Sequence, residues 1–180
     1  MIEYSDDFCN LMLKYNKIHN ITGAKTKQQI EENIEDSLYP LKYLHVNRLK
    51  KAIDIGTGAG FPGLILAMKL KDTHFSLFEP IAKKSAFLHL AKSTFNLQNV
   101  DIITKRVEEF PAFKADLITS RAVTRTQTLL ELCKNFISQK SIVLLYKGSS
   151  VQDEIDKSVN HEIYGRGNRN YLILRNLNDN

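Results

Sequence analysis

Two cysteines in 180 residues, Cys9 and Cys133, far apart and without C-x-x-C spacing, cannot build a disulfide framework. That usage suits a reducing cytoplasm. Cys9 falls in an apolar helical pattern and reads as a buried core thiol. Long apolar runs are also missing. None approaches the roughly 20 residues needed to span a bilayer, and the opening "MIEYSDDFCN" lacks a basic region followed by an apolar one, so no signal peptide is expected. The chain is expected to be soluble and intracellular. The five histidines show no metal-ligand spacing, which leaves no evident zinc site. Charge of one sign is only slightly in excess, +5 from 25 Lys+Arg against 20 Asp+Glu, which permits a polyanionic partner without demanding one. Glycine is sparse at eight, yet four of the eight fall between Gly56 and Gly63.

At this length, with 43% hydrophobic and 25% charged residues, a single domain with a sizeable core is expected over 1–180. Residues 1–46 read as a helical N-terminal cap. Tyr4, Phe8, Leu11, Met12 and Tyr15 recur at helical spacing. The polar stretch "NKIHNITGAK" breaks that pattern, and Thr26 followed by Gln29 is a capping-box signature for a second helix with Ile30, Ile34, Leu38 and Leu41 on its apolar face. Pro40 predicts a break near its end. From Lys50 onward short β-rich runs alternate with helical segments: "KAIDI", "HFSLFE", "VDIIT", "ADLITS" and "SIVLLY". Such alternation predicts a doubly wound α/β domain around a mostly parallel sheet. "HEIY" and "NYLILRN", linked by "GRGNR", add two strands as an antiparallel hairpin, for seven in all.

In such a sheet, ligands bind at the carboxyl ends of the strands, where strand order reverses. The run "AIDIGTGAGFPG", Ala52–Gly63, places a glycine loop there. Glycines allow a sharp turn and close approach of a ligand, and Pro62 suits the first turn of the next helix. Glu79 ends the second strand, 23 residues after Gly56, where a carboxylate can accept both hydroxyls of a ribose. Two cofactors fit this much. "GAGFPG" from Gly58 satisfies the dinucleotide pattern G-x-G-x-x-G, but that register leaves Asp54 and Gly56 without a role and sets Asp54 against a pyrophosphate. S-adenosyl-L-methionine, with its cationic sulfonium and ammonium, uses Asp54, Gly56, Gly58, Gly60 and Glu79 together.

The segments "NIT", "EDSL", "DIGTGAGFPG", "KKSAFL", "RVEEF", "SRA" and "YKG" follow one another in this order. From about Asn20 to Gly148 the chain resembles the bacterial 16S ribosomal RNA guanine-N7 methyltransferase family, also called glucose-inhibited division protein B. The resemblance implies a class I S-adenosylmethionine-dependent methyltransferase fold, with methyl transfer to N7 of a guanine in 16S rRNA. It assigns Gly56, Phe61, Val107, Glu108 and Arg121 to the cofactor pocket, with Val107 and Glu108 at the end of the third strand. The partner implied is 16S rRNA, within the 30S subunit or an assembly intermediate. Asn33 stands where this family often has a histidine, three residues before the aspartate of "DSL".

The residues agree with that chemistry. Guanine N7 carries a lone pair and no proton, so transfer needs orientation rather than a general base, and no catalytic acid or base is expected. Orientation alone can supply roughly 7–11 kcal/mol in favourable cases. The Asn/Asp-Pro-Pro-aromatic motif of amine methylation is absent, with "SRAV" after the fourth strand instead. Cys133, the candidate nucleophile for pyrimidine-carbon methylation, lies within the apolar "TLLELCKNF". Arg121, Arg125 and Lys147 follow the fourth and fifth strands and are the candidate RNA contacts. Lys83 and Lys84 open a helix, where solvent or RNA would serve equally well. A nicotinamide-dependent oxidoreductase and a catalytically silent RNA-binding module on the same scaffold are the alternatives. The first lacks a convincing His/Lys or Tyr/Lys pair, and the second has no use for an intact loop with Glu79.

Overall fold

Periodic burial explains how the chain begins. In the computed structural model, which describes residues 3, 5–121, 123–149, 151 and 160–177, helix α1 spans Ser5–His19 and buries Phe8, Cys9, Met12 and Asn16. Tyr4, expected on this face, lies outside the described residues. Asp6 and Asp7 in the first turn and Lys17 and His19 in the last complement the helix dipole. Helix α2, Lys27–Leu38, starts at the expected capping box: Gln29 N donates to Thr26 Oγ1 at 3.2 Å, and Thr26 N donates to Gln29 Oε1 at 3.3 Å. It buries Ile30 and Ile34, and gives way at Pro40 to the 3-10 turn Tyr39–Tyr43.

Seven strands follow: β1 Lys51–Ile55, β2 His74–Phe78, β3 Val100–Ile103, β4 Leu117–Arg121, β5 Ile142–Lys147, β6 His161–Arg166 and β7 Arg169–Leu174. They form one sheet in the order β3-β2-β1-β4-β5-β7-β6. β1 to β5 are mutually parallel, and β7 runs antiparallel to both β5 and β6. Pairing in the final hairpin runs further than "HEIY" and "NYLILRN" suggest. The turn is only Gly167–Asn168, and Gly167 at φ +56° permits so tight a reversal, leaving Arg166 paired with Arg169.

The strand side chains alternate between two cores. Ala52, Phe75, Leu77, Leu117 and Leu144 face one cluster with Phe8, Ile30, Ile34, helix α3 (Gly63–Lys69) and helix α4 (Ala82–Thr94). Ile53, Phe78, Ile118, Val143 and Leu145 face another with Leu129 and Cys133 of helix α5 (Thr126–Cys133). Cys9 and Cys133 are both buried free thiols, and burial pushes them up to about 11 and about 12. The result is the expected α/β fold, with helices on both faces of a mostly parallel sheet. Strand order reverses between β1 and β4, so the carboxyl ends of β1, β2 and β4 converge. No helix among the described residues is long and apolar enough to cross a membrane.

Candidate functional site

The loop after β1 is held by its own backbone and by two carboxylates. Gly56 N and Thr57 N both donate to Phe78 O, at 2.9 and 3.1 Å, so the loop stays joined to the end of β2. Gly60 N and Phe61 N return to Thr57 O at 2.9 and 3.0 Å and close a tight turn. Gly56, Gly58 and Gly60 sit at φ +67°, +61° and +99°, where a side chain is strained. Glu79, buried just beyond β2, accepts Gly58 N on Oε2 at 2.9 Å and Ile81 N on Oε1 at 2.8 Å. Each of its oxygens keeps a further lone pair.

Above this loop lies a cavity of about 420 Å³. Gly56, Thr57, Gly58, Phe61, Glu79 and Arg121 line it, joined by Ile21 and Thr22 from the α1–α2 loop, Ile81 and Lys84 from the β2–α4 segment, and Val123. The space beside Gly58 is open: a Cβ there would meet only Gly56 O, at 3.9 Å. The Thr57 hydroxyl is buried without a hydrogen-bond partner, although it stands near enough to Asp54 to help lower its pKa. An open glycine cradle and a carboxylate with lone pairs to spare in one cavity fit a nucleoside cofactor.

Several expected residues are placed differently. Asp54 is fully buried behind the loop, where Gly63 N donates to its Oδ2 at 2.9 Å and Thr119 Oγ1 to its Oδ1 at 2.7 Å, and it does not line the cavity. From there it braces the loop against the start of α3. Gly60 turns toward α3, where a Cβ would lie 2.9 Å from Leu64 Cβ. Val107 and Glu108 are outside the cavity wall. β3 ends at Ile103, and the apolar Val107 is buried against the second core in a 3-10 turn, while Glu108 points to solvent. Pro62 caps α3 from just before its first residue.

Sequence reasoning missed Gly63 as a packing glycine. Its absent Cβ would fall 2.5 Å from Asp54 Cβ, and the third glycine of "GAGFPG" was the signal for such close helix–strand contact. It also missed Thr57, Ile81 and Val123, whose signal was adjacency to Gly56, Glu79 and Arg121. The candidate RNA contacts do gather at the carboxyl ends of β4 and β5. Arg121 ends β4, exposed Arg125 precedes α5, and Lys147 ends β5 with its Nζ 3.1 Å from Thr124 O.

Burial pushes Asp54 from 3.8 up to about 6, opposed by the hydrogen-bond donor groups of Thr119, Thr57 and Gly63 and by the charge of Arg121. A raised folded-state pKa means the native state binds more protons than the unfolded chain between about pH 4 and 6. Stability from this group is thus full below that window and lost as pH rises through it. Asp54→Asn is expected to remove that loss, so the stability difference, variant minus wild type, grows in the variant's favour between pH 4 and 7. Urea titrations of both proteins at several pH values measure it, and parallel curves would contradict the assignment.

The profile of the family described as rRNA small subunit methyltransferase G (GidB) matches residues 1–170. The ribosomal RNA small subunit methyltransferase G of Wolinella succinogenes is 46% identical over 177 residues, covering 98% of this chain and 91% of that protein. The Campylobacter curvus protein of the same name is 45% identical over 172 residues, covering 96% and 90%. Among solved structures, a putative O-methyltransferase from Klebsiella pneumoniae superposes with a TM-score of 0.71 at 11% identity, covering 96% of this chain and 91% of that one. An rRNA methylase from Streptococcus thermophilus superposes with a TM-score of 0.58 at 14% identity, covering 73% and 91%.

Proposed function

Because the chain belongs to the rRNA small subunit methyltransferase G family, we propose that it transfers a methyl group from S-adenosylmethionine to N7 of a guanine in 16S rRNA. The observation that carries this reading is the shared wall of the cavity. Gly56, Gly58, Glu79 and Arg121 line it together, at the sheet end where Arg125 and Lys147 also emerge. The cofactor supplies an electrophilic methyl on a sulfonium.

The chain's own residues bind and orient. Glu79 uses its remaining lone pairs on the ribose hydroxyls, Gly56 and Gly58 let the backbone approach, and Phe61 and Thr57 complete the wall. Arg121 stands between cofactor and RNA. Arg125 and Lys147 hold phosphates, and Lys84, at the cavity's lip, is placed to join them. No residue need take a proton from N7, so the site requires alignment and charge rather than an acid–base pair. The whole chain acts as one methyltransferase domain, with residues 1–46 as its cap. The substrate is 16S rRNA within the 30S subunit or an assembly intermediate, and the place of action is the cytoplasm.

Calorimetric titration with S-adenosylhomocysteine and with NAD tests the cofactor. Binding of the first alone is expected, and binding of NAD alone would overturn the reading in favour of an oxidoreductase. Lys147→Ala separates RNA from cofactor. It is expected to leave S-adenosylhomocysteine affinity unchanged, slow methyl transfer to 30S particles several-fold and flatten the salt dependence. Arg121→Ala should impair both binding and transfer. Loss of cofactor affinity in Lys147→Ala, or wild-type transfer, would move the RNA face elsewhere.

A further inference from the structure

Arg121 is aimed by the cap, not by the sheet that carries it. Its NH1 donates to Asn33 Oδ1 at 2.8 Å and more loosely to Asp36 Oδ2 at 3.5 Å. Its guanidinium lies 5.0 Å from the Phe61 ring centre in the glycine loop. Asn33 cannot turn away readily, because its Nδ2 donates to Gln29 O at 2.8 Å and so leaves the amide oxygen facing the arginine. Asp36 is likewise fixed, with Tyr171 Oη donating to its Oδ1 at 2.8 Å. Neither Asn33 nor Asp36 lines the cavity that Arg121 lines.

We infer that Asn33 is a positioning residue for methyl transfer: it holds the Arg121 guanidinium in the orientation that the RNA-bound site uses, with Asp36 as a second, weaker support. The inference rests on the methyltransferase reading above. The order of the two contacts gives it content. A close bidentate carboxylate would occupy two donors of the guanidinium and pair off its charge. A neutral amide at 2.8 Å fixes direction, while the ion pair with Asp36, on the same nitrogen, is the looser contact at 3.5 Å. It also accounts for a polar residue of poor helix propensity in the middle of α2, where alanine would favour the helix. Where transfer depends on alignment rather than proton removal, a freely rotating arginine lowers the rate directly.

A double-mutant cycle tests this with Asn33→Ala, Arg121→Ala, the double variant, and Asn33→His, whose ring nitrogen can still accept. Single-turnover transfer to unmodified 30S particles, thermal midpoint and S-adenosylhomocysteine affinity are measured for each. Asn33→Ala is expected to slow transfer about tenfold with its midpoint unchanged or higher. The same change in the Arg121→Ala background should have no further effect, and Asn33→His should recover much of the rate. Nitrogen-15 NMR of the Arg121 side chain gives a readout independent of turnover: guanidinium rotation should be slow in wild type and faster in Asn33→Ala. Additive slowing, a wild-type rate in Asn33→Ala, or slowing that tracks a lowered midpoint would overturn the inference. If wild-type protein transfers no methyl at all, the activity reading fails, and unchanged guanidinium rotation in Asn33→Ala would overturn the contact as well.

Discussion

Glu79→Ala is expected to weaken S-adenosylhomocysteine binding by about 3 kcal/mol, roughly a hundredfold in Kd. The carboxylate offers its outer lone pairs to two ribose hydroxyls, and hydrogen bonds to a charged group contribute about 1.5–3 kcal/mol each. Truncation also releases Gly58 N, which ties the loop to the end of β2, and Ile81 N at the start of α4. Glu79→Gln keeps the shape but only one acceptor oxygen, so its amide nitrogen faces Gly58 N or Ile81 N, and about 1–2 kcal/mol is expected from the lost charge and the lost acceptor together. Calorimetry on the three proteins, with thermal midpoints alongside, checks the ladder. An unchanged constant in both variants would leave Glu79 as a brace for the loop with no part in binding.

Gly63→Ala is expected to lower the unfolding free energy by about 3 kcal/mol or more, the upper end for overpacking a buried site. The new methyl would lie 2.5 Å from both Asp54 Cβ and Oδ2 and 2.6 Å from Leu77 Cδ2. Asp54 Cβ is rigidly attached to β1, a central strand, so relief requires moving α3 off the sheet and breaking the 2.9 Å bond from Gly63 N to Asp54. Gly58→Ala makes the contrast. Its methyl meets only Gly56 O at 3.9 Å, so the backbone strain of its φ of +61° is the main cost, about 1–2 kcal/mol. Denaturant titrations of both decide. A Gly63→Ala midpoint equal to that of Gly58→Ala would mean the β1–α3 junction can relax, against the close packing described.

The fold was largely legible because its signals are local. "KAIDI" coincides with β1, the Thr26–Gln29 capping box starts α2, and Pro40 ends it, each through chemistry confined to a few neighbouring residues. Of the candidate site, the part that follows from strand ends and glycines shares one cavity: Gly56, Gly58, Phe61, Glu79 and Arg121 all line it. What the sequence does not announce depends on packing. Asp54 looks like a ligand group in sequence but is fully buried, bonded to Gly63, nine residues on, and to Thr119 on a neighbouring strand. Val107 was carried over from the resemblance alone, yet its apolar side chain is buried in the core behind the sheet. The bond between Arg121 and Asn33 spans 88 residues, and no spacing within either segment announces it.

Nucleoside mass spectrometry of 16S rRNA tests the central claim most directly. The substrate is 30S particles from a strain lacking this protein, incubated with the purified chain and S-adenosylmethionine. One 7-methylguanosine per 16S molecule is predicted with wild-type protein, and strongly reduced amounts with Glu79→Ala. RNA that remains unmethylated, or methyl groups found on an exocyclic amine or a pyrimidine carbon instead of guanine N7, would contradict the account.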